Sequence, residues 1–190
     1  MNDRHTVAIR KMVLTAMLGC LAFVLSTFVY FPQMAPFQHF VDVIAAVLLG
    51  PWYACAAAFL AGILRMMTGR TIQAVVGAIF GPILGGLMYR KFHNVFLTAV
   101  GEVVGTGFIG GTVAYPLMTH FYGVTQPNWW FYIPFYIPSA AMGAAMGVAV
   151  VLILKKTGAL ARMQAALTSD DVRQAKPAAA AAKMSAGKKD

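Results

Sequence analysis

The stretch from Phe31 to Gln73, FPQMAPFQHFVDVIAAVLLGPWYACAAAFLAGILRMMTGRTIQ, constrains this chain more than any other. Two apolar runs lie back to back, separated only by Gly50-Pro51. A Gly-Pro pair punctuates a helix, because glycine takes backbone angles other residues avoid and proline cannot donate the helical hydrogen bond. The pair predicts a tight turn between two antiparallel helices. The far ends of both runs then come to the same side. One far end carries Gln38, His39 and Asp42; the other carries Arg65, Arg70 and Gln73. Ionisable groups held in an apolar setting are costly, so their convergence marks a candidate binding site.

The rest of the chain repeats the apolar pattern. A spanning helix needs roughly 20 apolar residues. On that measure we expect an all-α, polytopic membrane protein with about six transmembrane helices, near 9–31, 37–49, 51–67, 71–89, 94–118 and 131–154. The second and third are short and predict tilted, offset or partly re-entrant segments. Pro82, Pro116, Pro134 and Pro138 should bend or end their helices. Composition agrees: 59% of residues are hydrophobic and 11% charged, against roughly a quarter charged in soluble domains. The long first run and its lack of a clear cleavage site favour a retained span over a signal peptide. The domain reading is 1–8 an N-terminal segment, 9–158 the membrane domain, and 159–190 an Ala/Lys-rich, largely disordered tail.

The net charge of +9 is distributed over short loops and the tail, which excludes the folded basic face of a nucleic-acid binder. Arg4, Arg10 and Lys11 precede the first span, Arg90 and Lys91 join the fourth to the fifth, and Lys155, Lys156 and Arg162 follow the sixth. With six spans these fall on one side, which the positive-inside rule makes the cytoplasm; both termini are then cytoplasmic. Arg65 and Arg70 are left on the other side. They are either interfacial arginines reaching headgroups or a pair committed to a ligand or to nearby acids. Of six acidic residues, only Asp42 and Glu102 lie in the membrane part. Two acids against two arginines suit a neutral or zwitterionic small molecule better than a polyanion. Glu102 serves either as a structural pair to a neighbouring helix or as a ligand contact.

His39 and Asp42, three apart, share a helical face. Pairing that positions the ring, a proton relay and a metal site are all conceivable, but two ligands alone do not make a metal site and no further His or Cys is suitably placed. No nucleophile–base–acid set and no phosphate-cradling glycine loop occurs, so no enzyme is expected. Cys20 and Cys55 read as small buried thiols. Glycines four apart (Gly77, Gly81 and Gly85; Gly101 and Gly105; Gly107 and Gly111; Gly143 and Gly147) predict close helix packing. On the first span Thr15, Ala16, Gly19 and Cys20 form a small-residue ridge that packs internally or receives a partner protein. In HFYGVTQPNWWFYIP, Trp129, Trp130 and Tyr132 form an interfacial aromatic belt, or Asn128 and a tryptophan lid the pocket.

Three segments carry a family resemblance: FPQMAPFQHFVDVIAAVLLGPWYACAAAFLAGILRMMTGR, GAIFGPILGGLMYRKF and GEVVGTGFIGGTVAYPLM. Over about residues 8–155 the chain resembles the ThiW family, substrate-binding S components of energy-coupling factor (ECF) transporters. The resemblance implies six membrane helices with cytoplasmic termini and an outward-open pocket capped by loops. It implies a prokaryotic cell-membrane location and docking on a shared transmembrane coupling protein and two ATPase subunits, with toppling in the membrane to release substrate. It also implies a thiamine precursor, hydroxyethylthiazole, as substrate. S components commonly dock through an Ala-xxx-Ala ridge on the first helix, matched here by Ala16 and Cys20. Nickel and cobalt S components carry a histidine just after Met1; Asn2 stands there in this chain.

The resulting expectation is an S component without cofactor of its own, its ATP used by partner subunits. Gln38, His39 and Asp42 would hydrogen-bond the substrate; Arg65, Arg70 and Gln73 would close the site; Trp129 or Tyr132 would stack on its ring; Glu102 and Asn128 complete the set. A proton-coupled secondary carrier using Glu102 or Asp42, an S component for another vitamin, and a ligand-free membrane scaffold remain the alternatives.

Overall fold

The structure, a computed structural model, describes residues 3–28 and 35–168. Among these residues every regular element is helical. α1 spans Asp3–Phe28, α2 Pro36–Leu49, α3 Pro51–Met67 and α4 Gln73–Phe92. α5 (Val95–Val103) runs through a π-helical turn, Val104–Gly110, into α6 (Gly111–Tyr122); α7 (Ile133–Lys156) and α8 (Ala159–Ala166) follow. His5–Phe28, Val95–Tyr122 and Ile133–Lys156 are long and apolar enough to cross a membrane, and Pro36–Leu49 and Pro51–Met67 are shorter apolar helices. In lipid a helix satisfies its own backbone, which is why apolar runs of this length settle as helices.

The turn expected at Gly50-Pro51 is present. Gly50 has φ +80°, a left-handed value that favours glycine, and Pro51 opens α3. α2 is the central element, in contact with α1, α3, α4, α5, α7 and α8. Its apolar side contributes Val41, Ala45, Val47, Leu48 and Leu49 to the main core, together with Ala54, Ala57 and Ala61 of α3 and Val148 and Val151 of α7. Outward, α1 exposes Ile9, Met12, Val13, Met17, Leu21 and Val24, the kind of apolar exterior lipid covers.

Glycine spacing sets how closely the helices meet. At the crossing of α4 and α5, a Cβ on Gly101 would lie 2.8 Å from Gly85 Cα. At the crossing of α2 and α7, a Cβ on Gly147 would lie 2.8 Å from Val43 Cβ. Both contacts are small-xxx-small packing as expected. Gly19 behaves likewise: it is buried, and its Cβ would lie 2.9 Å from Leu60 Cδ2 of α3. Gly19 therefore belongs to an internal contact, and of the ridge on α1 only Ala16 and Cys20 are exposed, with Thr15 half-buried. Cys20 is thus not the buried thiol expected; Cys55 is half-buried.

The bundle has two chemically distinct ends. At one, Arg10 Nη1 donates to Ala166 O at 3.2 Å, and Gln164 Nε2 donates to Val47 O at 3.0 Å and Tyr89 Oη at 3.2 Å. These bonds gather the start of α1, the end of α2, the end of α4 and α8. Leu160 and Leu167 join the main core, so the start of the tail is a packed helix that caps this end. The rest of the tail, residues 169–190, lies outside the described residues, as do 29–31 at the end of the expected first span. At the other end, Ile72 N donates to Tyr122 Oη at 3.1 Å, which brings the C-terminal end of α6 to the segment carrying Arg65, Arg70 and Gln73.

Prolines 82, 116 and 138 are accommodated inside α4, α6 and α7, and Pro134 sits in the first turn of α7, so none of them ends its helix. The π-helical turn was not expected; its sequence, VGTGFIG, holds three weak helix formers in seven residues. The packing yields a test. Gly101→Val should lower stability by about 1–3 kcal/mol through overpacking, read as a fall in the detergent melting temperature. Val100→Ala, at the exposed neighbouring position, should leave it almost unchanged.

Candidate functional site

The polar end of the bundle encloses a cavity of about 290 Å³. Gln38 and His39, from the first two turns of α2, form one wall. Arg65 and Arg70, from the end of α3 and the turn after it, form the second, and Gln73 and Gly77 of α4 the third. Thr106 of the π-helical turn and Tyr136 and Ser139 of α7 complete it. The Gly50-Pro51 turn is what makes this possible, since it returns α3 antiparallel to α2. Ligand sites typically enclose about 300–1,000 Å³, so this one suits a small molecule.

Several wall groups are fixed by one another. Arg65 Nη1 donates to Gln38 Oε1, which orients the Gln38 amide and leaves its Nε2 buried without a hydrogen-bond partner. Ser139 Oγ accepts from Ala35 N at 2.9 Å, pinning the start of α2 to α7. Tyr136 Oη is also buried without a partner. A buried polar atom left unmade is expensive. Two donors in the wall of one cavity, Gln38 Nε2 and Tyr136 Oη, therefore fit a solute that accepts hydrogen bonds.

His39 connects the wall to a second, deeper layer. Its Nδ1 lies 3.0 Å from Glu102 Oε1 and 3.7 Å from Asp42 Oδ2. Thr106 Oγ1 donates to the same Glu102 oxygen at 3.1 Å. Asp42 and Glu102 are 1% and 0% exposed. They do not reach the cavity wall; they support it through His39 and Thr106. Gly81 of α4 makes room for this layer, because a Cβ there would overlap Glu102 Oε1 and Thr106 Oγ1.

Of the residues singled out in the sequence, Gln38, His39, Arg65, Arg70 and Gln73 all meet at the cavity. Asp42 shares a face with His39 as its spacing implied, but Glu102 is the nearer partner of the ring. The aromatic assignment differs from the expected one. Trp129 is 59% exposed, Asn128 is exposed, and neither lines the cavity. Tyr132 is buried in a separate cluster with Ala114, Met118 and Tyr136. The ring in the wall is Tyr136, one turn beyond Tyr132 on the same face, and the two ring centroids are 6.3 Å apart. Gly77 leaves room for that ring, since a Cβ there would fall 3.0 Å from it; no spacing in the sequence joins the two. Thr106 and Ser139 were also missed, since a lone hydroxyl in an apolar helix ordinarily bonds its own backbone.

A helical bundle with an apolar exterior, helices able to span a membrane and a small polar cavity at one end defines a multi-pass membrane protein with room for a small solute. The match to known families agrees. The chain belongs to the family of thiamine-precursor transporter proteins called ThiW, whose family model matches residues 12–157. No curated protein and no solved structure matches the chain.

The site geometry makes a prediction for thiamine-precursor binding measured by calorimetry. Gln38→Ala should weaken binding by about 1.5–3 kcal/mol, since it removes both a cavity donor and a charge-assisted bond to Arg65. Tyr136→Phe should weaken it by about 1 kcal/mol, the worth of one neutral hydrogen bond, with little change in melting temperature. Trp129→Ala should leave affinity unchanged; a large loss would return Trp129 to the site.

Proposed function

We propose that this protein is the substrate-binding S component of an ECF-type importer in the prokaryotic cell membrane. It captures a thiamine precursor, hydroxyethylthiazole, from outside for uptake driven by ATP on two partner ATPases. The observation that carries this reading is the single cavity wall formed by Gln38, His39, Arg65, Arg70, Gln73 and Tyr136 in a chain of this family. A substituted thiazole offers a flat ring for Tyr136, and its ring nitrogen and hydroxyl oxygen accept from Gln38 Nε2 and Tyr136 Oη. Arg65 and Arg70 edge the mouth.

In this reading α1, α2, α3, α4, the joined α5–α6 helix and α7 make six spans. Both termini and the α8 end lie in the cytoplasm, with the basic residues. The cavity then opens outward. Ala16 and Cys20, on the exposed face of α1, would meet the transmembrane coupling protein. Ligand binding would favour one of two docking geometries, a population shift.

Two measurements test the proposal. Native mass spectrometry of the purified protein should show one bound hydroxyethylthiazole and no retention of the pyrimidine precursor, with Arg65→Ala losing the complex while still folded. In cells, uptake should require the coupling protein and both ATPases. A second reading, a proton-coupled carrier, is favoured by the buried His39–Glu102 pair. It would be upheld by pH-gradient-driven uptake into liposomes that hold this chain alone, and that outcome would end the S-component reading.

A further inference from the structure

Behind the cavity wall, three ligating side chains from two helices converge. His39 and Asp42 project from α2 and Glu102 from α5, and one ligand atom of each lies within 4.8 Å of the others. We propose that this cluster holds a resident divalent transition-metal ion of the Zn²⁺ or Mn²⁺ class.

The donor count points that way. Imidazole Nδ1 carries at most one hydrogen, yet two carboxylates address it: Glu102 Oε1 at 3.0 Å and Asp42 Oδ2 at 3.7 Å. Thr106 supplies its own hydrogen to Glu102 Oε1. Asp42 Oδ2 and Glu102 Oε2 are buried with no hydrogen bond at all. The Arg65 guanidinium offsets part of the charge at Asp42, and the two unbonded oxygens, Asp42 Oδ2 and Glu102 Oε2, remain as donors a dication can take. The spacing fits. Ligand atoms about 2.0–2.2 Å from an ion can stand up to roughly twice that apart; both separations at Nδ1 are shorter, and the carboxylate–carboxylate separation, within 4.8 Å, needs at most a small closure on loading. On loading, the ion takes the place of the Nδ1 hydrogen, which is released to solvent as a proton.

The surroundings are those of a built site. Thr106 Oγ1 holds the Glu102 carboxylate in place, as an outer-shell partner does for a ligating carboxylate. Gly81 leaves the volume in which that carboxylate sits. One imidazole with two carboxylates lies between the preferences of zinc and iron and those of manganese, and lacks the thiolate that selects copper(I). His39 belongs both to this cluster and to the cavity wall, so a loaded ion would fix the orientation of one wall side chain. The inference stands apart from the identity of the transported solute.

The test uses the full-length protein purified into nanodiscs, stripped with chelator, and titrated with Zn²⁺, Mn²⁺ or Co²⁺ in the absence of any thiamine precursor. We expect one ion per chain by elemental mass spectrometry, a Co²⁺ visible spectrum with nitrogen and oxygen ligation, and an immobilised Mn²⁺ paramagnetic resonance signal. Asp42→Asn and Glu102→Gln should each weaken the ion at least tenfold, and Thr106→Val by about tenfold as an outer-shell loss. The wild-type stoichiometry decides the matter even where a variant fails to fold. Substoichiometric metal with all three ions, or proton uptake in place of metal on solute binding, would overturn the inference. Hydroxyethylthiazole binding, measured separately on the same sample, reports on the transport reading whatever the metal result.

Discussion

A carboxylate shut away from water has to be met by a donor or a cation, and in this bundle that requirement ties α2 to α5. Glu102 sits in a helix interior at 0% exposure and reaches His39 across the helix contact. Beside the contact α4 is thin: Gly81 leaves the space in which the Glu102 carboxylate sits, and Gly85 lets the α5 backbone come close. With those glycines the polar layer, the cavity above it and the apolar core below it form one continuous stack along α2. A buried pair of this kind is weak support for stability, because desolvation offsets the attraction. Its worth lies in fixing one arrangement: a helix slipped by one residue would leave the carboxylates facing hydrocarbon.

Much of this was legible from residues alone. The Gly50-Pro51 turn made the Gln38–Asp42 and Arg65–Gln73 segments neighbours, and of the six polar residues singled out in them five line the cavity. Glycines four apart foretold which helices approach closely. Both signals are local, and local patterns survive folding in apolar chains because alternatives to the helix are so costly.

What escaped was long-range or ambiguous. Glu102 lies sixty-three residues from His39, and no spacing rule joins them; the sequence therefore offered two metal-type ligands where the fold offers three. Tyr132 stands just before α7 and Tyr136 one turn further on, so pattern could not say which of the two reaches the cavity. Trp129 and Trp130 looked like ring partners by composition but stand outside it, as belt residues would. The Ala-rich run after Gly158 carries little hydropathic signal, yet Leu160 and Gln164 are enough to bind it to the body. Gly19, part of an apparently free ridge, is consumed by the contact with Leu60.

That folded-back α8 has a consequence for traffic. Below Asp42 the interior is filled by Val41, Ala45, Leu48 and Val151, and Gln164 and Arg10 stitch the far end shut. The molecule is a cup and not a tube: what enters by the rim has no drain. Among the described residues the floor of the cavity is closed, and release towards α8 would need the packed helices themselves to move.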